Sequence, residues 1–356
     1  MRLAVDVAPL SHVRTGIGNY IRGTLAGLAE TAHPNDEIVA FAPASAGGKR
    51  MIGAALAGMP VERRVRVLPF AHAWRTAWSR LGRPPLEPLL GGFDALLFWD
   101  WWYPPQRSGL RATMIHDLVP LRHPEWVTPR TRRMHGAKYR NAARTCDLVF
   151  VNSRFTAGEV VELLGVPEEK VRVAYPGIGR EFGPDGERAR LERPYVLSVA
   201  TLEPRKNLGT LLEAHRLLGA ELELAVAGGA GWGERPELTG ERVSRLGFVS
   251  DERLAALYRG AEAFVYPSRF EGFGIPVLEA MASGVPCVVS SHASLDEACG
   301  DAAVRVDPEN PEAIADGIAQ ARSERERLVE RGFGHAARFS WRRSGEVYWR
   351  SLREGL

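Results

Sequence analysis

Two glutamates, Glu271 and Glu279, stand eight positions apart in "SRFEGFGIPVLEAMASGVPCVV", residues 268–289, around a glycine-flanked helix start. Glycines at 272 and 274 let a ligand approach the backbone closely, and Pro276 suits a first helical turn because its missing N–H would be unpaired there anyway. The backbone amides of Phe273, Gly274 and Ile275, with the helix dipole behind them, make a site for an anion such as a diphosphate. Glu279 lies about five residues into that helix, roughly 7 to 8 Å along it. A carboxylate at that depth suits a neutral diol, and Glu271 in the loop suits a sugar. One short segment thus has the parts to hold a sugar joined to a ribose through a diphosphate.

Three further clusters carry chemistry. "ATMIHDLVPLRHPEW" puts His116 and Asp117 at the end of an apolar strand, where active-site side chains emerge. "FWDWWYPP" sets Trp99, Trp101, Trp102 and Tyr103 around Asp100 at another strand end; aromatic faces pack on sugar rings and a carboxylate binds hydroxyls, so this loop is the acceptor candidate. "TGIGNY" places Gly16 and Gly18 on the turn between a first strand and a first helix, a weak signal by itself. There is no Asp-x-Asp, P-loop, G-x-S-x-G, H-E-x-x-H or C-x-x-C in the chain. The usual metal clamp on a nucleoside diphosphate is therefore missing, and no metal or other cofactor is expected.

The elements that must position these residues follow from periodicity. "RLAVDVAP", "EIVAFAP", "VRVLPF", "DALLFWD", "RATMIHD" and "DLVFVNS" read as strands, interspersed with helical patterns from Ile17 to Leu28, from about Pro129 to Thr145, and over "FTAGEVVELLG". The run from "VRVAYPG" to "LERP", rich in glycine, proline and charge, reads as a linker. The alternation then restarts at "YVLSVAT" and continues through "LELAVAGG", "RVSRLGFV", "AEAFVYPS", "PCVVS" and "AAVRVD". Two consecutive doubly wound α/β domains are implied: residues 1–185, joined by a C-terminal helix over 340–356, and residues 186–339. Ligand sites are expected at the carboxyl ends of their strands.

Composition sets the class. The 356 residues are 45% apolar and 25% charged, the range of folded globular proteins, with no apolar run long enough to span a membrane. The N-terminus does not read as a signal peptide, and three cysteines without metal or disulfide spacing fit a cytoplasmic protein. Residues 1–190 carry 26 basic and 18 acidic side chains, net +8, which leaves 20 and 25, net −5, for the rest. That asymmetry suggests an anionic partner for the first domain, a phosphate-bearing acceptor or an anionic membrane surface, with the protein peripheral at the inner face of the membrane. "HAWRTAWSRLGR" and a helical face bearing Arg130, Arg133, Arg140 and Arg144 are the segments that would meet lipid. Nucleic acid is not an expected partner.

The segment "FEGFGIPVLEA" resembles the Glu, seven residues, Glu hallmark of the group-one glycosyl transferases, family four, of the GT-B fold. "SVATLEPRKNL", "LGFVSDERLAALYRGAEAFVYPS", "GVPCVVS" and "GDAAVRVDP" occur in that family's order and spacing, so the resemblance covers nearly the whole chain. It implies two Rossmann-like domains facing a central cleft, and retaining transfer of a sugar from a GDP- or UDP-linked donor to a saccharide or lipid-linked acceptor. It also implies roles residue by residue. Arg205 and Lys206 neutralise the leaving diphosphate, Glu271 holds the sugar and Glu279 the ribose. Backbone around Phe248 and Val249 lines the base, Gly16 and Gly18 approach the phosphate, and His116 contacts the donor sugar near the reacting bond, with Asp117 orienting it or binding acceptor. Where many relatives have an arginine five residues before the lysine, this chain has Thr201, and Arg205 is its expected substitute. The opening "TGIGNY" and "IHDLVPLRHPEW" look like the mannosyl-transferring branch, which makes mannose the expected sugar. Two alternatives share these features: a sugar-nucleotide epimerase, which needs further acid and base groups, and a non-catalytic sugar-nucleotide-binding module, which need not keep Glu271, Glu279 and Lys206 together.

Overall fold

The computed structural model describes residues 1–12, 16–99, 101–220, 222–229 and 239–356. The chain divides into two compact units, one of Met1–Leu121, Pro129–Gly177 and Ser340–Leu356, the other of Arg122–Thr128 and Ile178–Phe339. The first holds a seven-stranded sheet in the order β3-β2-β1-β4-β5-β6-β7. Its strands are β1 (Arg2–Asp6), β2 (Glu37–Ala44), β3 (Glu62–Val67), β4 (Ala95–Phe98), β5 (Leu110–Ile115), β6 (Leu148–Val151) and β7 (Val171–Val173). The second holds a six-stranded sheet in the order β10-β9-β8-β11-β12-β13, made of β8 (Tyr195–Val199), β9 (Glu223–Ala227), β10 (Val243–Gly247), β11 (Ala263–Tyr266), β12 (Cys287–Ser290) and β13 (Ala303–Val306). Every adjacent pair is parallel. Helices cover the faces, which is why inner strands such as "ALLF" of β4 and "LVFV" of β6 are apolar throughout and wholly buried.

The strands and helices read from periodicity are present. The polar pattern from Pro129 forms one helix, Pro129–Thr145. The helices Ala46–Ala55, Ala71–Leu81 and Arg325–Ala336 are among those the sequence reading lacks; Ala71–Leu81 buries only Arg75 and so shows no buried apolar stripe. β7 lies in the stretch read as linker and pairs with β6 through Val149, Phe150 and Val151. Three residues are too short a run for alternation to register. The chain passes to the second unit at Gly177/Ile178, earlier than the expected 185/186, because residues 178–185 are tied there. Arg259 donates to the carbonyls of Glu181 (3.3 Å) and Gly183 (3.2 Å), and the Phe182 ring packs edge-on to Tyr258 at 5.8 Å.

The final helix, Trp341–Glu354, packs against the first, Gly16–Thr31, within the first unit. Glycines set their separation: a methyl built on Gly27 would lie 1.9 Å from the Trp341 carbonyl oxygen, and one on Gly345 would lie 2.3 Å from that of Gly27. Trp349 closes the contact, its indole N–H donating to Leu28 O at 2.9 Å. Gly345→Val is therefore expected to drive the helices apart and cost at least the 1–3 kcal/mol typical of overpacking. A thermal melt checks it; an unchanged Tm would show that the helices separate freely.

Both sheets reverse strand order once, at β1/β4 and at β8/β11. At such a point the connections leave in opposite directions and open a crevice at the carboxyl ends. The second-unit crevice receives the loops after β8 and β11, and these carry Arg205, Lys206 and Glu271.

Candidate functional site

The loop after β8 forms a short 3-10 turn, Pro204–Lys206, ended by Asn207 in the left-handed region at φ 56°. The Asn207 side chain then receives the Thr210 hydroxyl at 2.7 Å as the next helix begins. This tight turn aims two consecutive cations at one partner. Glu271 receives Lys206 Nζ on Oε1 at 2.6 Å and Arg205 Nη1 on Oε2 at 2.6 Å. Tyr266, the last residue of β11, donates its hydroxyl to Glu271 Oε1 at 3.0 Å and lies 2.7 Å from Lys206 Nζ. Arg205 also donates from Nε to Glu203 Oε2 at 2.9 Å and from Nη1 to Phe270 O at 3.2 Å. Thr201 donates to the other Glu203 oxygen. Arg205 thus holds its guanidinium against Glu271 beside Lys206, while Thr201 serves the Glu203 carboxylate that orients it.

Burial sets the electrostatics. Lys206 and Glu271 are 7% and 6% exposed. Burial by itself raises the Glu271 carboxyl, but the Arg205 and Lys206 charges outweigh it and hold the group ionised, down to about 2. Burial, with Arg205 adding, lowers the Lys206 ammonium from its ordinary value against the pull of Glu271. The result is a compact, charge-balanced cluster of Arg205 and Lys206 against Glu203 and Glu271, in a setting where charge is weakly screened.

The loop "EGFG" leads from Glu271 into the helix Ile275–Ala282, with Pro276 in its first turn. Gly274 caps it at φ 107°, and a methyl there would meet Leu295 at 2.7 Å, so this position needs glycine for its conformation and its space. Ser294 fixes the loop by accepting from the Glu271 amide at 3.0 Å. Phe273 is buried, edge-on to Phe339 at 5.6 Å. Val249 follows β10, half-buried, and its neighbour Phe248 is exposed.

Glu279 points its carboxyl into a different setting. It receives the Tyr258 hydroxyl at 3.1 Å and no cation among the described residues offsets its burial, which, with Asp251 and Glu181 adding, pushes the group up to about 8. A carboxyl raised in the folded state is stable while protonated. Its penalty begins above the ordinary carboxylate range near 4.5 and grows until the folded group itself ionises near 8. Glu279→Gln is therefore expected to melt a few degrees above the parent at pH 8 and level with it at pH 4. Equal melting at both values would mean that the carboxyl is not held neutral.

In the first unit, His116 and Asp117 directly follow β5. Burial, with the Lys138 and His135 charges adding, lowers the His116 imidazole to about 3, so it is neutral at physiological pH. Its Nε2 is buried without a hydrogen-bond partner among the described residues, and its ring meets Tyr20 edge-on at 4.9 Å. Asp117 accepts the Val119 amide at 3.1 Å, and its carbonyl receives the Tyr139 hydroxyl at 3.0 Å. Gly16 and Gly18 lie in the first turn of the helix Gly16–Thr31, not on the turn before it.

The aromatic loop departs furthest from expectation. Trp99 and Trp102 are core side chains, 1% and 0% exposed; Trp102 donates its indole N–H to Asp6 at 2.6 Å. Neither presents a face to a ligand. Trp101 is half-buried, with Arg75 5.3 Å from its ring and His72 at 4.5 Å. Asp100 lies outside the described residues. Sequence reasoning missed the phenols Tyr258 and Tyr266 and the carboxylate Glu203, which lie within the quoted segments but whose partners are set only by the fold.

Two parallel-sheet units, with cations and a carboxylate gathered at a strand-order reversal, define a GT-B architecture. Residues 14–182 match the model of Glycosyltransferase Family 4, and residues 180–334 that of Glycosyl transferases group 1. The chain belongs to the group-one, family-four glycosyltransferases. It is 29% identical to O-antigen chain mannosyltransferase B of Escherichia coli, over 96% of each chain. It is 31% identical to the E. coli serotype-specific mannosyltransferase WbdA over 64% of this chain, which spans about a third (31%) of that longer protein. The sucrose-phosphate synthase of Thermosynechococcus elongatus shares the fold, with a TM-score of 0.75 at 18% identity over 99% of this chain and 98% of that one.

Proposed function

We propose that this glycosyltransferase moves mannose from a nucleoside-diphosphate donor, GDP- or UDP-linked, to a saccharide or lipid-linked acceptor, with retention at the anomeric carbon and without a metal ion. The observation that carries the reading is Glu271 held by both Arg205 and Lys206 beside the Gly274-capped helix start. In the reaction the bond from sugar C1 to the phosphate oxygen breaks and the acceptor oxygen bonds C1 from the same face. Its proton passes to the departing phosphate oxygen, so no protein nucleophile is needed. Arg205, Lys206 and the amides at Gly274 and Ile275 stabilise the charge that develops on the diphosphate. Glu271 accepts sugar hydroxyls, and Glu279 binds the ribose diol. The neutral His116, with its unpartnered Nε2, supplies a hydrogen-bonding group for a substrate hydroxyl, and backbone near Val249 meets the base. Mannose is supported by the two mannosyltransferase relatives.

The test is turnover of GDP-mannose and UDP-glucose on α-mannobiose with excess chelator, the product anomer read by NMR. An inverted product, or activity abolished by chelator and restored by a divalent ion, would sink the mechanism. No described helix is long and apolar enough to cross a membrane. Phe70, Trp74 and Leu81 are exposed at 86%, 55% and 73%, four and seven residues apart along one helix and its cap, with Arg80 exposed among them. This stripe supports docking of the first unit on anionic lipid. Pelleting with phosphatidylglycerol vesicles, lost in a Phe70→Glu/Trp74→Glu variant, is the expected result.

A further inference from the structure

Trp99 and Trp102 lie in the core, so neither offers a face to a sugar. A different pair supplies one. The segment Arg122–Thr128 lies in sequence between β5 and the helix Pro129–Thr145, both of the first unit, yet it packs as part of the second. It delivers His123 and Trp126 stacked face to face, centroids 3.9 Å apart and planes 12° from parallel. Both are half-buried, and the His123 side chain is 30% exposed. The His123 ring meets Phe270 edge-on at 5.3 Å. Phe270 is buried, its carbonyl accepts from Arg205 at 3.2 Å, and the next residue is Glu271.

A pyranose has an apolar C–H face and a polar hydroxyl edge. A site that binds it needs a flat apolar surface beside a carboxylate. The His123–Trp126 stack reaches Phe270 through His123, and Phe270 directly precedes the Glu271 carboxylate in the chain, which offers that combination. We propose that the His123–Trp126 stack is the pyranose platform of the transfer site. The inference rests on the proposed transfer reaction, and the sugar on the platform is that of the donor or that of the acceptor.

Calorimetry with GDP, UDP, GDP-mannose and UDP-glucose, and the KM for α-mannobiose, separate these cases in the full-length protein. Trp126→Ala is expected to leave the affinity for the bare nucleotide within twofold. It should weaken the nucleotide sugar if the donor stacks, or raise the mannobiose KM if the acceptor does, by about 3- to 10-fold. Trp126→Phe keeps a ring and should return most of the loss. His123→Ala, which leaves the indole in place, provides a second variant should Trp126→Ala fail to fold. The proposal is overturned if nucleotide sugar and mannobiose are handled as by the parent. It is equally overturned if bare nucleotide weakens in step with nucleotide sugar, which would make the pair a brace for Phe270 and Arg205. If the parent neither binds nor turns over a nucleotide sugar, the transferase reading falls with it; if the parent does and the variants match it, the platform alone falls.

Discussion

Replacing Lys206 by methionine is expected to lower kcat by about 10²- to 10³-fold, the effect of removing one fixed donor from a developing negative charge. The physical reason is its setting. The ammonium is buried and bonded to Glu271 at 2.6 Å and to Tyr266 at 2.7 Å, so in the proposed reaction its charge is held in place before the diphosphate departs. Arg205→Lys tests the other cation. Arg205 joins two carboxylates at once, Glu203 through Nε and Glu271 through Nη1, and a lysine ammonium cannot reproduce that fork. Its kcat is expected to fall by more than tenfold although charge is conserved. Both variants should lose more in kcat than in affinity for the nucleotide sugar, because the interaction strengthens as the bond breaks. A Lys206→Met enzyme with kcat within threefold of the parent would remove the cations from the chemistry.

The second large effect is on stability. Losing one member of a buried ion pair leaves the other charge uncompensated and typically costs 3–5 kcal/mol, whereas replacing both with neutral groups of similar size is often close to neutral. Lys206→Met and Glu271→Gln are each expected to lower Tm by about 6–20 °C, and the double variant to recover at least half of the larger loss. Arg205 loses its Glu271 partner in the double variant but keeps Glu203, so recovery is partial. The pH dependence follows from the lowered Glu271 carboxyl. Its stabilising contribution is complete above the ordinary value near 4.5 and is lost as pH falls towards about 2. The gap between parent and Glu271→Gln should therefore close over that acid range. A gap independent of pH would mean that packing, not charge, holds the loop.

The two tests answer different questions about one cluster. If stability couples as expected and turnover does not change, the ion pairs are structural and the diphosphate binds elsewhere. If turnover falls and stability does not couple, the cations act on substrate without depending on Glu271 in the unliganded protein.

Much of this was legible in the residues. Alternating and helical periodicity marked two α/β series, because a parallel sheet covered on both faces demands apolar strands separated by amphipathic helices. The Glu271 to Glu279 spacing around glycines and Pro276 marked a helix start with carboxylates at two depths, since 1.5 Å per residue is a property of the local chain. The left-handed Gly274 and its close neighbour Leu295 explain why glycine stands there. What misled was the tryptophan-rich loop. Local sequence reports that Trp99 and Trp102 are aromatic but not that Tyr20, Tyr348 and Phe41 surround them.

The sequence by itself determined the elements and the kinds of chemistry available, because helix and strand periods, glycine conformations and side-chain charges depend on residues within a few positions of one another. Only the tertiary structure decided which charges meet. Lys206 and Glu271 are joined because β8 and β11 are neighbours where the strand order reverses. Two glutamates of the same loop and helix take opposite ionisation, Glu271 down to about 2 and Glu279 up to about 8, because cations crowd one while the other is buried against the Tyr258 phenol near Asp251 and Glu181. Burial and partners at long sequence separation set those differences, and no local pattern encodes them.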